Sequence, residues 1–216
     1  MIAARAAAGL ALWVWVGAAG AWAQPAQTAG PRPDYRAELG DRLAAQVEAQ
    51  SGSEPEAAAR LGARIDDRVG PLAPVRYATG LAFNRAGDRA TALIWYDRCL
   101  ELDPLHRGAL YDRAELRLLG GDTIGAKTDL ALLRAHPPVH WSTHLRLAQL
   151  AAIDGDSTAF ERELIAALAV GFELRTLGLD PVWRAWIDDP TLGPIVRRLI
   201  AVYGSDGLLQ QIQTPP

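Results

Sequence analysis

Three observations in this 216-residue chain predict an all-α fold, a solenoid of stacked helical hairpins. The pair Gly-Asp occurs at 87–88, 121–122 and 155–156, each 34 residues from the next. Gly80, Ala114 and Ala148 keep the same register as small residues. Tyr96, Leu130 and Leu164 keep it as large apolar ones. Self-similarity at this period marks a two-helix unit that cannot bury its apolar face alone and stacks on copies of itself. Three to four such repeats and a C-terminal helical cap are expected to account for the chain after its first 36 residues.

The opening residues carry a different signal. Arg5 is a short positive region, and Ala6 to Trp22 is an uncharged apolar run of 17 residues. Ala21-Trp22-Ala23 then has the small-x-small form of a cleavage site. Residues 1–23 are therefore expected to be a signal peptide, with a mature chain starting at Gln24 that is soluble and has no membrane contact. The alternative is an inner-membrane anchor, should residues 1–23 be retained; the run lies at the short edge of what spans a bilayer. Residues 24–36, rich in Pro, Ala and Gly at their start, are expected to be a disordered linker.

Residues 37–71 are expected to form a degenerate first hairpin. One period before Gly87 lies Ser53, and Pro55 suits the first turn of a second helix that ends at Gly70-Pro71. Ala58 stands where Ala92 and Ala126 stand in the later copies.

Residues 73–172 are expected to hold three full copies. Gly80 lets the first helix approach the second closely. Gly87 can adopt the left-handed conformation that ends a helix. Asp88 can cap the next helix through its carboxylate. Ala92 is the small contact on the second helix, and Asp103-Pro104 stops it, because proline disfavours helix in the residue before it. The stretches ATGLAFNRAGDRATALIWYDRCLELDP, YDRAELRLLGGDTIGAKTDLALLRAHPP and LRLAQLAAIDGDSTAFERELIAAL carry these features. Together they resemble the tetratricopeptide repeat family. The second copy departs from it with Arg117 at an aromatic position, and the third with Phe160 and Phe172 at the alanine and proline positions.

This resemblance implies a right-handed superhelix whose groove is lined by the first helix of each pair and binds a protein or peptide. Mapped by register, the groove residues are Tyr77, Leu81, Asn84 and Arg85, then Tyr111, Asp112 and Glu115, then Arg146 and Gln149. Tyr77 and Tyr111, one period apart, suit a recognition surface. Arg146 alone is placed to meet an acidic group, and Asp112 with Glu115 would repel one.

Residues 173–216 are expected to form the cap and a tail. Asp180-Pro181 and Asp189-Pro190 each fit an N-cap followed by a first-turn proline. They predict helices over 181–187 and 190–203. Trp183, Trp186, Ile195, Leu199 and Val202 are the expected packing residues, and the tail after Gly204 is expected to fray.

Few residues point to chemistry. His136, His140 and His144 are spaced by four, but Pro137 and Pro138 break any helix joining the first two, and no HExxH pattern is present. A metal-dependent enzyme built on them ranks last among the readings. Asp154-Gly155-Asp156 lacks the rest of a calcium loop. Cys99 is the sole cysteine, which excludes an internal disulfide; its register position makes it a buried apolar contact. No phosphate loop, nucleophile elbow or dinucleotide fingerprint occurs, so no cofactor is expected. The net charge of −3 argues against nucleic acid. The expected function is that of a bacterial periplasmic adaptor without catalysis.

Overall fold

The computed structural model describes residues 34–178, 181–205 and 207–213. The expected signal peptide, and the linker up to residue 33, lie outside the described residues. Eight helices pair in chain order: α1 (Tyr35–Ser51) with α2 (Pro55–Val69), α3 (Ala73–Arg85) with α4 (Arg89–Leu102), α5 (Arg107–Leu119) with α6 (Thr123–Ala135), and α7 (Trp141–Ile153) with α8 (Ser157–Ala169). A 3₁₀ turn (Leu174–Gly178), α9 (Pro181–Asp188), α10 (Gly193–Tyr203) and α11 (Leu208–Gln213) follow. The fold is an all-α hairpin solenoid with a helical cap.

The Gly-Asp pair builds each turn in the same way. Gly87, Gly121 and Gly155 have φ of +86°, +82° and +73°, values that carry a steric cost for any residue with a Cβ. The Gly87 N–H donates to the Asn84 carbonyl at 3.0 Å and the Asp88 N–H to the Phe83 carbonyl at 2.9 Å. This pairing satisfies carbonyls at the end of α3. The Asp88 carboxylate then accepts from the Thr91 N–H at 3.0 Å and caps α4. Asp122 and Asp156 do the same at the Gly125 and Ala159 N–H groups, both at 2.9 Å. At the other end of the hairpins, His106 and His140, also one period apart, cap α5 and α7 through Nδ1.

The register also sets the core. Tyr96, Leu130 and Leu164 are buried, as are Ala92, Ala126, Phe160 and Cys99. A Cβ on Gly80 would come within 2.5 Å of the Tyr96 ring, so the glycine is what lets α3 and α4 meet around a tyrosine.

Four features differ from the sequence expectations. Helix α1 begins at Tyr35, inside the stretch expected to be linker. Asp189 does cap a turn, accepting from the Thr191 and Leu192 N–H groups at 2.8 and 2.7 Å, but Pro190 to Leu192 form a turn and α10 starts only at Gly193. Asp180, the other expected cap, lies outside the described residues. Val202 is 64% exposed, whereas Leu192, Val196 and Ile200 complete the apolar face with Leu199, Trp183 and Trp186. The tail is not frayed throughout: α11 follows, and Leu208 is buried against the cap.

Candidate functional site

Helices α3, α5 and α7 are the first helices of consecutive hairpins, so residues one period apart recur on one face. Side chains link these helices directly. The Tyr77 hydroxyl on α3 donates to Asp112 Oδ2 on α5 at 3.0 Å. Its ring lies 4.6 Å from the His106 ring and 6.1 Å from the Tyr96 ring, centroid to centroid. Gly108 makes room for it, since a Cβ there would sit 2.5 Å from Tyr77 Cζ. Tyr77 is thus a half-buried joint between two repeats as well as part of the face.

Glu115, one turn beyond Asp112, accepts from Arg146 Nη2 on α7. Arg146 Nη1 donates to Gln149 Oε1 at 3.0 Å, and its guanidinium stands 5.7 Å from the Trp183 ring centroid. The cation expected to meet an acidic ligand group is therefore already neutralised within the chain. Arg85 donates to Ser51 of α1. Leu81, Asn84 and Tyr111 are half-buried on the same helices.

The electrostatics of this face are uneven. Burial pushes the Asp112 carboxyl up to about 6. The Tyr77 hydrogen bond and nearby Arg85 lower it, and Glu115 raises it further. Burial and the Asp112 charge also raise the Tyr77 and Tyr96 hydroxyls, so both stay protonated. Tyr96 Oη, Arg146 Nε and Trp183 Nε1 are buried polar atoms without a hydrogen-bond partner.

The three histidines have separate engagements. His136 Nδ1 meets the Leu132 carbonyl at 2.9 Å, His140 Nδ1 the Ser142 hydroxyl at 2.8 Å, and His144 Nδ1 the Glu163 carboxylate at 2.9 Å. Cys99 is buried, its thiol directed at the Ala73 carbonyl at 3.3 Å; burial raises it to about 12, far from a reactive thiolate.

Sequence reading missed a second set of polar contacts. Buried Asp129 on α6 accepts from Arg113 Nε and Nη2 at 3.0 and 2.6 Å and from Arg117 Nη1 at 2.8 Å. Arg113 also reaches Asp97 on α4 at 2.6 Å. One period earlier the equivalents of Arg117 and Asp129 are Phe83 and Trp95, whose rings lie 6.4 Å apart and nearly parallel. One period later Glu163 stands at the Asp129 position, with Arg134 and His144 as partners. The signal was present in the register: a carboxylate at a core position calls for a cation nearby.

No protein-family model matches the chain, and no curated sequence matches it. Among solved structures the chain is similar to MamA, residues 41 to the end, from Desulfovibrio magneticus RS-1. The TM-score is 0.59 at 19% identity, over 79% of this chain and 98% of that one. The likeness supports a tetratricopeptide-like helical repeat fold.

Proposed function

We propose that this chain is a non-catalytic scaffold, exported to the periplasm, that binds a protein or peptide on the face formed by α3, α5 and α7. One observation supports the reading above others. Tyr77, Asp112, Glu115 and Arg146 come from three consecutive hairpins and form contacts from each helix to the next. Such a surface is ordered before a partner arrives, which lowers the entropy cost of association. Its side chains meet as phenol with carboxylate and carboxylate with guanidinium, an arrangement suited to recognition rather than to bond breaking. Export rests on Arg5, the apolar run and Ala21-Trp22-Ala23.

Two measurements test the proposal. Amino-terminal sequencing of the chain from an envelope extract is expected to begin at Gln24; Met1 retained in the membrane fraction would overturn export. A C-terminally tagged chain is expected to capture a defined protein from the same envelope. Leu81→Ala with Tyr111→Ala is expected to cut that recovery about tenfold or more, as for loss of aromatic and apolar contacts at an interface centre. Equal recovery by the double variant would remove this face as the site.

A further inference from the structure

Three acidic groups on or next to this face are matched to cations within the chain. Asp129 has Arg113 and Arg117, Glu163 has Arg134 and His144, and Glu115 has Arg146. Among the described residues, Asp112 has no ion pair of this kind. It is half-buried on the binding face and takes one hydrogen bond, from the neutral Tyr77 hydroxyl. Arg85, whose positive charge acts on it, is held on Ser51. A carboxylate left this way bears a desolvation cost that a partner's positive charge would offset.

A second, independent feature lies beside it. Tyr96 is fully buried, yet its hydroxyl has no hydrogen-bond partner. Its ring centroid lies 6.1 Å from that of Tyr77, the residue whose hydroxyl donates to Asp112. Buried polar groups are nearly always satisfied, so an orphan at a binding face marks where an incoming group completes the set. Asp112 and the Tyr96 oxygen together offer acceptors. The complementary ligand is a donor with positive charge.

We infer that the face between α3 and α5 receives a basic side chain of the bound peptide, an arginine or a lysine, whose head group lodges on Asp112 and Tyr96. Arginine suits the place better, because its planar fork presents several N–H donors at once. Leu81, one helical turn beyond Tyr77, offers apolar surface to the aliphatic stem. A divalent cation fits poorly, since one carboxylate and a phenol supply too few oxygen ligands. This inference rests on the proposal that the α3–α5–α7 face binds a peptide.

The test is selection of a phage-displayed random dodecapeptide library on the purified chain at pH 7.5. Wild type is expected to enrich peptides containing arginine or lysine, and Asp112→Asn to lose that enrichment. For one selected peptide, Asp112→Asn is expected to weaken binding about thirtyfold or more, the scale for removing one partner of a buried charge pair. Tyr96→Phe, which keeps both ring and carboxylate, is expected to weaken it by about three- to tenfold. It provides a second readout that leaves the carboxylate in place. Selected peptides that are apolar or acidic would overturn the inference and leave the peptide-binding face standing. So would basic peptides that bind Asp112→Asn and Tyr96→Phe as tightly as wild type. Failure to select any peptide would overturn the peptide-binding reading itself.

Discussion

Tyr77 on α3 and Asp112 on α5 share a hydrogen bond of 3.0 Å, and it joins two successive repeats across 35 positions of sequence. The contact makes a residue of the proposed binding face into a structural joint. Asp112 stands one helical turn from Glu115, whose charge raises its carboxyl, while Arg85 lowers it. The first prediction follows from that placement.

Asp112→Asn is expected to stabilise the unbound chain at pH 7.5 by about 1–3 kcal/mol, because the folded carboxyl is raised from its ordinary range to about 6. The sign is that of a buried acid: its ionised form is disfavoured in the folded state. The penalty is full above about pH 6 and is lost as pH falls toward the unfolded value near 3.8. The gain from the variant should therefore fade over that window. Denaturant unfolding at pH 7.5 and pH 4 measures it, and a gain independent of pH would contradict the assignment.

Gly80→Ala sets two effects against each other. Alanine favours helix over glycine by about 1 kcal/mol. The added Cβ, however, would lie 2.5 Å from the Tyr96 ring, which is buried and held by neighbours on every side. Overpacking of that kind costs about 1–3 kcal/mol. The net expectation is destabilisation, with a lower melting temperature; Gly80→Ala combined with Tyr96→Leu should recover part of it.

Asp129→Ala removes the shared partner of Arg113 and Arg117 and leaves both guanidinium groups short of hydrogen bonds. A loss of about 3–5 kcal/mol is expected. Arg117→Phe with Asp129→Trp copies the Phe83–Trp95 pair of the preceding hairpin. It should be more stable than Asp129→Ala alone, as apolar replacements of buried ion pairs often are. Chemical denaturation of the three proteins decides the matter.

Trp186→Ala tests the cap. Its ring meets the Phe160 ring edge-on at 4.9 Å and closes the apolar end of the last hairpin. Truncation should cost about 3–5 kcal/mol and open the α7–α8 hairpin to faster hydrogen exchange. Unchanged exchange in α8 would mean the cap is dispensable.

The repeat could be read from sequence because its signals are local. A left-handed glycine, the aspartate after it and the proline that stops the second helix each act within a few residues. The Gly-Asp pairs marked where α4, α6 and α8 begin, and Pro55 and Pro181 marked the starts of α2 and α9. The buried identities of Tyr96, Leu130, Leu164 and Cys99 followed from period alone. Where local signals competed, the reading slipped. Pro190 suggested a helix start, but Asp189 closes a turn first, and α10 begins three residues later.

The state of each polar residue on the face was decided only in three dimensions. Arg146 read as a free cation, yet it is held by Glu115 from the neighbouring helix, 31 positions away. Tyr77 read as an open aromatic, yet Gly108 and Asp112 receive it. Asp129 carried no signal in its own neighbourhood, because Arg113 and Arg117 reach it from the preceding helix of the hairpin. The sequence by itself determined which residues share a face, since helical periodicity is a property of the local chain. Which of them remain available to a partner depends on contacts between helices brought together by stacking, and only the tertiary structure decided that.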